Sequence, residues 1–198
     1  MKNESKGIQT KQKILECAAQ LFLKNGYTST GIQDILDSTE LPKGSFYYHY
    51  SSKKELALCV CDFFEKKLGN MFQTASEGKK SWQKFVEALC NQIEEQYKKQ
   101  EFFGCPLAVL GMETSLTEPE IAERCTLSLG RLCGVFENML KKNGIPDSKA
   151  RQLSFRCMAC YEGFLTYYRV SWDQNALSEM RSALVDCFKN SLKDGAES

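Results

Sequence analysis

The chain has 198 residues, and its 26 lysines and arginines balance 25 aspartates and glutamates. This length allows one sizeable core, or a small domain joined to a larger one. The balanced charge excludes a protein that binds nucleic acid through overall basicity, so a nucleic-acid site would have to be a local patch. Charged residues interrupt the apolar runs well short of a membrane span and no signal peptide opens the sequence, so we expect a cytoplasmic protein without membrane contact.

Apolar residues recur at helical spacing along the chain, with no alternating strand pattern, and predict an all-α fold of nine helices. Residues 1–8 are polar and predict a disordered arm. Thr10 would then cap the first helix, which Asn25-Gly26 would close. Thr30 is predicted to cap a second helix of two turns, and Pro42 to hold the first position of a short third helix.

Residues 41–50, with the sequence Leu-Pro-Lys-Gly-Ser-Phe-Tyr-Tyr-His-Tyr, are the most informative stretch. The start of this short helix combines free N–H groups, the positive end of a helix dipole and a lysine, and such a combination attracts phosphate. Phe46 can anchor the helix, which leaves Tyr47, Tyr48 and His49 facing outward. With the preceding helix and a three-residue turn, this is a helix-turn-helix layout. The alternative is a plain helical hairpin inside a bundle, where outward tyrosines beside Lys-Gly-Ser would serve no purpose.

Residues 10–55 resemble the DNA-binding domain of the TetR family of bacterial transcriptional regulators. The matching positions are Thr10, Ile14-Leu15, Leu21-Phe22, Gly26-Tyr27, Thr30-Gly31-Ile32, Ile35, the run from Pro42 to Tyr50, and Ser52-Lys53. The chain departs from the family pattern at Thr39, where Ala is common, and at Glu40, where Gly is common. A left-handed backbone at Glu40 would cost on the order of 1 kcal/mol.

We expect two groups of DNA contacts on this domain. The residues expected at or near base edges are Lys43, Gly44, Ser45 and Tyr47. The residues expected mostly on phosphates are Thr30, Gln33, Tyr48, His49 and Lys53. The partner is therefore a double-stranded DNA operator.

The rest of the chain is predicted to form a second domain. Ser51 or Ser52 would start a fourth helix, about residues 52–74, which connects a DNA-binding domain at 1–55 to a ligand-binding and dimerisation domain at 56–198. A loop at 75–80 follows. The remaining five helices are predicted to start at Ser81, Pro106, residues 117–120, Asp147, and Asp173 or Asn175.

Three helices cannot reach two major grooves, so a DNA-binding protein of this size gains affinity by dimerising. The last two helices carry apolar residues on more than one stripe, which suits an interface between two copies. The resemblance implies the same arrangement, because TetR-like regulators dimerise through their last helices. It also implies that a small molecule binds in the larger domain and usually releases the protein from DNA. We therefore expect a homodimeric repressor controlled by a small-molecule effector.

The effector site is expected among the fifth to eighth helices. Apolar and aromatic candidates for its lining, each of which could equally fill a core, are Phe85, Leu89, Tyr97, Leu107, Met112, Phe136, Met158, Tyr161 and Leu165. Glu113 and Glu162 lie within apolar stretches and are the polar candidates. A buried carboxylate needs a partner, which could be Arg131, Arg169 or a cationic group of the ligand.

Cys105 carries a separate hypothesis. At the start of the sixth helix the dipole would favour the thiolate, the species that electrophiles attack, although a buried cysteine in a tight bend would be inert. The tract Gly-Cys-Pro-Leu resembles an electrophile-sensing, YxaF-like branch of the family. A thiol-based repressor therefore stays open, as does a DNA-binding protein that marks sites for a protein partner. An enzyme with Cys105 as nucleophile is disfavoured, because no histidine remains to act as its base.

The sequence has ten cysteines, which lack the spacing of a disulfide framework or a zinc site. Cys157 and Cys160 could share a helix face, but His49 is the single histidine and no second Cys-x-x-Cys exists. Since structural zinc needs four well-placed ligands, we expect no metal and no cofactor. Most of the thiols should serve as small core side chains.

Overall fold

The computed structural model describes the backbone of residues 2–193 and the side chains of residues 6–193. Within that part of the chain there are nine α-helices and no strands, which confirms the predicted all-α class. The helices are α1 Lys2–Asn25, α2 Ile32–Thr39, α3 Lys43–His49, α4 Lys53–Ser76, α5 Trp82–Lys98, α6 Pro106–Thr114, α7 Pro119–Lys142, α8 Asp147–Ser171 and α9 Asn175–Lys193.

Helix α1 begins well before the predicted start. It is helical from Lys2 onward, so the disordered arm predicted at residues 1–8 is wrong for all but Met1, which lies outside the described residues. Thr10 is not a cap, because its hydroxyl lies within the helix and donates to the Lys6 carbonyl at 2.9 Å. No proline interrupts this polar stretch, so the helix continues beyond its apolar face. The predicted end is confirmed: Gly26 follows Asn25 with φ +93°.

Side-chain caps define the starts of α4 and α5. The Ser52 hydroxyl accepts the Glu55 N–H at 3.1 Å, and the Glu55 carboxylate accepts the Ser51 N–H at 2.7 Å. The predicted cap at Ser81 is confirmed, since its hydroxyl accepts the Lys84 N–H at 3.3 Å. Each cap satisfies donors that the first helical turn leaves without a partner.

Packing divides the chain into two compact units, which are described separately. The first comprises Met1–Lys66 and Pro106–Ser128, and the second comprises Lys67–Cys105 and Leu129–Ser198. This division differs from the predicted boundary between residues 55 and 56, because α6 packs on α1 and so belongs with the helix-turn-helix. Helical periodicity shows which face of α6 is apolar but not which helix covers that face.

The first unit has a core built from α1 to α4. Its fully buried side chains include Ile14, Phe22, Ile35, Phe46 and Leu56. These side chains pack the helices around one apolar centre. The inner faces of α2 and α3 are therefore buried, and their outer faces are left to solvent.

The second unit is centred on aromatic side chains from α4, α5, α7 and α8. Phe136 is fully buried and lies 5.4 Å from Phe72 and 5.6 Å from Trp82, measured between ring centroids. The Trp82 indole N–H donates to the Leu184 carbonyl at 2.8 Å, which ties α5 to α9. Across the described residues, no helix combines the length and apolar character needed to cross a membrane.

Candidate nucleic-acid interface and effector site

Helix α3 presents tyrosines to solvent. Phe46 is fully buried and anchors the helix, whereas the side chains of Tyr47 and Tyr48 are 51% and 83% exposed. Lys43 and Gly44 are exposed at the start of the helix, and an added Cβ at Gly44 would meet nothing within 4 Å. The surface therefore combines a cation, a glycine with open space around it and two aromatic side chains with hydroxyl tips.

The two departures from the family pattern lie at the end of α2 and directly after it. Glu40 is left-handed with φ +55°, which is the condition under which the sequence led us to expect a backbone cost at this residue. Thr39 is buried, and its hydroxyl donates to the Ile35 carbonyl at 2.7 Å. The Lys13 ammonium donates to the Thr39 carbonyl at 2.7 Å, so α1 supports the turn from below.

The predicted phosphate contacts divide into exposed and buried groups. Gln33 is exposed and donates to Asp37 at 2.7 Å, while His49 is partly exposed and lies edge-on to Tyr48 with ring centroids 4.9 Å apart. Thr30 is the exception, because its side chain is 1% exposed and its hydroxyl donates to the Gly26 carbonyl at 2.7 Å. Thr30 thus supports the domain from within, and the prediction that its side chain clamps a phosphate is corrected.

Gly31 rather than Thr30 holds the N-cap position of α2. The Asp34 carboxylate accepts the Gly31 N–H at 2.6 Å. A Thr at the preceding position looks like a cap in sequence, but here its hydroxyl turns back into the domain.

Lys53, the first residue of α4, is held against an aromatic ring. Its Nζ lies 4.2 Å from the centroid of the Tyr27 ring, a cation–π geometry. Burial lowers the pKa of Lys53, while the nearby carboxylates of Glu113 and Asp34 oppose that effect. The next residue, Lys54, instead pairs with Glu120 at 2.6 Å.

Glu113 belongs to the first unit, whereas most of the effector-site candidates belong to the second. Its Oε2 accepts the Tyr27 N–H and its Oε1 accepts the Thr28 N–H, each at 2.7 Å. The partner of this carboxylate is therefore the backbone after α1, rather than one of the arginines or the ligand cation that the sequence offered as candidates. Leu107 and Met112 also belong to the first unit, where Leu107 is buried and Met112 is 57% exposed.

The other candidates lie in the second unit. Phe85, Leu89 and Phe136 are fully buried there, while Tyr97 is partly exposed and accepts a hydrogen bond from the Gln174 amide. The remaining candidates are buried or partly buried on α8 and just before α6, at Cys105, Met158, Tyr161, Glu162 and Leu165.

Glu162 is the exceptional residue of this group. Both of its carboxylate oxygens are buried without a hydrogen-bond partner, and no other described residue has buried side-chain oxygens or nitrogens in that condition. Burial raises the pKa of Glu162 to about 7, and the neighbouring Cys105 thiol lowers it only in part. The effect of that thiol is the effect of a hydrogen bond to the carboxyl, but its geometry is too poor to satisfy either carboxylate oxygen. Such a group costs folding free energy until a donor reaches it.

The segment before Cys105 lies along α8. Gly104 has φ +89°, and a Cβ there would come within 3.3 Å of the Leu165 carbonyl, so the close approach requires glycine. Arg169 donates to the Phe103 carbonyl at 2.6 Å and fixes the same segment one turn further on. Cys105 itself is 4% exposed, which limits access of an electrophile to its sulfur.

Cys157 and Cys160, the thiols considered as metal ligands, both lie on α8. Burial raises the pKa of Cys157 well above its usual value and that of Cys160 to about 11, and the neighbouring Cys187 adds to both shifts. These thiols are therefore protonated at neutral pH. Among the described side chains, no group of three or more potential ligands is arranged to hold a metal ion.

Comparisons with known proteins match both parts of the chain. A sequence model of bacterial regulatory proteins of the tetR family matches residues 14–60, and a model of the C-terminal domain of LmrA/YxaF-like transcriptional regulators matches residues 81–183. An uncharacterized HTH-type transcriptional regulator from the lacX 3′ region of Lactococcus lactis is 31% identical over 185 residues, 91% of this chain and 93% of that protein. The HTH-type transcriptional regulator LmrA of Bacillus subtilis is 26% identical over 91% of this chain and 97% of its own length.

The fold has solved counterparts. A TetR-family regulator from Agrobacterium tumefaciens superimposes with a TM-score of 0.82 at 16% identity, covering 91% of this chain and 97% of the other. This likeness supports the fold alone, whereas the sequence matches extend to both predicted domains. Together they confirm the resemblance first seen in residues 10–55.

Proposed function

The chain belongs to the TetR family of bacterial transcriptional regulators, and on that premise we propose that this DNA-binding regulator is a homodimeric cytoplasmic repressor which a small molecule releases from a palindromic operator. It is a regulator and not an enzyme. The observation that carries the proposal is the outer surface of α3, where Tyr48 is 83% exposed beside exposed Lys43 and Gly44. An exposed aromatic surface with a cation at a helix start suits a DNA groove and its phosphates.

The proposed DNA contacts follow the two sides of this surface. At or near base edges we place Lys43, Gly44, Ser45 and Tyr47, which lie at the start and outer side of α3. On phosphates we place Gln33, Tyr48, His49 and Lys53, all of which are exposed or partly exposed. The first group would set sequence preference and the second would set orientation.

A second copy of the chain is the proposed partner of α8 and α9. Phe155 is 71% exposed and Val170 is 78% exposed on α8, and Tyr167 on the same helix is 58% exposed. Large apolar side chains on one helix surface are costly to leave in water, and an isologous interface would cover them in both copies. Dimerisation would also present two copies of α3 to one palindromic site.

Glu162 is the proposed point of effector recognition. Its buried carboxylate has no hydrogen-bond partner, so a ligand that brings a cationic or hydrogen-bond-donating group would gain a contact that the free protein does not make. Apolar and aromatic side chains of the second unit would bind the body of such a ligand, and the proposed ones are Phe85, Leu89, Tyr97, Phe136, Met158, Tyr161 and Leu165.

Two alternatives keep the DNA-binding role but replace release by a non-covalent small molecule. Cys105 adjoins Glu162 and precedes α6, so a covalent electrophile sensor is the second candidate, although its burial argues against it. If iodoacetamide labels Cys105 no faster than the other cysteines of the folded protein, that candidate fails. A protein that marks DNA sites for a protein partner is the third candidate, and it would not be released by any small molecule.

The experiment is selection of binding sites from a random-sequence duplex library with the full-length protein. We expect an enriched palindrome whose half-sites are separated by about one helical turn or a multiple of it, bound with two chains per site. Enrichment of no common sequence would contradict a sequence-specific regulator. One chain per site would contradict the homodimer.

A further inference from the structure

We infer that Glu113 is a positioning residue for DNA binding, which fixes the chain after α1 and, through Tyr27, the ammonium of Lys53. The inference rests on the proposed phosphate contact of Lys53. It assigns to Glu113 a role in the first unit that its sequence context, an apolar stretch of the presumed effector domain, did not suggest. Glu113 touches no DNA in this account and acts through the residues that do.

The first step is the contact between Glu113 and the corner between α1 and α2. Both carboxylate oxygens are used, one for each of two successive N–H groups at 2.7 Å. Gly26 makes the approach possible, because a Cβ at this position would lie 3.0 Å from both Glu113 oxygens. Two charge-assisted hydrogen bonds to adjacent backbone donors hold the corner in one geometry.

The second step leads from the corner to Lys53. The Tyr27 backbone is held by Glu113, and its ring packs edge-on against Phe22 with centroids 5.3 Å apart. The Lys53 ammonium then lies on the Tyr27 ring at 4.2 Å from its centroid. A shift of the Tyr27 backbone would therefore move the ring on which the Lys53 ammonium lies, and with it the cation that we place on a phosphate.

The third step leads from the same corner to α2. Thr30 is the third residue after Tyr27, and its hydroxyl donates to the Gly26 carbonyl at 2.7 Å. The next residue, Gly31, is the N-cap of α2. One carboxylate on α6 thus fixes the backbone that leads into the helix-turn-helix.

This arrangement predicts an effect opposite in sign to simple electrostatics. Removing a carboxylate near a DNA-binding surface lowers repulsion of the phosphates and should tighten binding. Removing Glu113 should instead weaken binding, because the loss of positioning outweighs the loss of one negative charge. Glu123 is the matched control, since it is exposed on α7 in the same unit and contributes no cap at the corner.

The test compares Glu113→Gln and Glu123→Gln in full-length protein on a duplex that the wild-type protein selects from a random library. The glutamine keeps the shape of the side chain but offers an acceptor to only one of the two N–H groups. We expect Glu113→Gln to lose affinity about threefold to tenfold, and Glu123→Gln to bind equally or more tightly. The salt slope of Glu113→Gln should fall by about one unit, matching that of Lys53→Ala.

A double variant separates positioning from general destabilisation. If Glu113 acts through Lys53, then Glu113→Gln combined with Lys53→Ala should bind less weakly than the two separate losses predict. Additive losses, or an unchanged salt slope in Glu113→Gln, would overturn the inference. Wild-type protein that selects no sequence would overturn the proposed function instead.

A second variant keeps the test decisive if Glu113→Gln does not fold. Tyr27→Leu removes the ring under Lys53 and keeps the backbone N–H groups that Glu113 binds. We expect it to lower the salt slope by about one unit while Lys53→Ala in the same background changes little further. A full additional effect of Lys53→Ala in that background would contradict the path through Tyr27.

Discussion

Phe46 and Tyr48 are two residues apart on α3, yet the first is fully buried and the second is 83% exposed. The aromatic side chains of this short helix therefore have different physical roles. Phe46 holds the helix to the core of the first unit, and the tyrosines are left for a partner.

Tyr47→Ala should reduce sequence discrimination without unfolding the protein. Tyr47 is half exposed, so little core packing is lost. A direct contact would be worth about 1–3 kcal/mol at the contacted base step. Competition between the selected duplex and single-base variants measures the loss. Phe46→Ala is the contrasting control, because it should destabilise the fold by about 3–5 kcal/mol. Unchanged discrimination in Tyr47→Ala would remove this residue from the base-edge group.

Lys53→Ala should weaken binding about equally on all sequences. A phosphate contact carries no sequence information, and each one contributes about 0.9 units to the salt slope. Dissociation constants measured on selected and random duplexes over a series of salt concentrations test both parts of the prediction. Lys54→Ala is the matched control, since Lys54 pairs with Glu120 on α7. An unchanged slope in Lys53→Ala would contradict its role.

Glu40→Gly should stabilise the protein by about 0.5–1 kcal/mol, because glycine adopts the left-handed backbone at this position without strain. Urea unfolding of the two proteins measures the difference. Gly26→Ala is the opposite case: its φ is also positive, and the new Cβ would lie 3.0 Å from the Glu113 carboxylate. That variant should be destabilised. A Glu40→Gly protein less stable than wild type would show that the turn is not strained.

Glu162→Gln should alter the pH dependence of stability. Because burial raises the pKa of Glu162 from 4.5 to about 7, the folded protein binds this proton more tightly than the unfolded chain does. The carboxyl has no destabilising effect below pH 4.5, and its effect grows as the pH rises towards 7, to roughly 3 kcal/mol. Glu162→Gln should therefore gain stability relative to wild type between pH 5 and pH 8.

Urea unfolding of wild type and Glu162→Gln at pH 5 and at pH 8 tests this prediction. Glu179→Gln serves as the control for loss of a charge, since Glu179 is exposed on α9. If the difference between wild type and Glu162→Gln is the same at both pH values, Glu162 is not buried as an unpaired acid.

Features that depend on local chemistry could be predicted from the sequence. The helix starts predicted at Ser81, Pro106 and Asp147 are borne out by the structure. The aromatic residues of α3 likewise showed in the sequence which side chain is buried, Phe46, and which face outward, Tyr47 and Tyr48. These features involve neighbours within about one helical turn.

Features that depend on tertiary contacts could not be predicted from the sequence. Glu113 binds N–H groups 85 and 86 residues away, and nothing in its own stretch distinguishes it from a buried ligand contact. Thr30 has the sequence of a cap, but its hydroxyl turns inward because Gly26 offers a carbonyl at 2.7 Å. The start of α1 was missed because apolar periodicity marks where a helix is covered, not where it begins.

The most direct test of the account measures fluorescence anisotropy of a labelled duplex from upstream of the protein's own gene, with wild-type protein and with Tyr47→Ala, at two salt concentrations. The account predicts that the wild-type protein prefers this duplex to random DNA and weakens steeply with salt. Tyr47→Ala should show a reduced preference and keep the salt dependence. A Tyr47→Ala protein that keeps the full preference would contradict the assignment of the outer surface of α3 as the sequence-specific DNA contact. A wild-type protein that binds both duplexes equally would contradict regulation of its own gene.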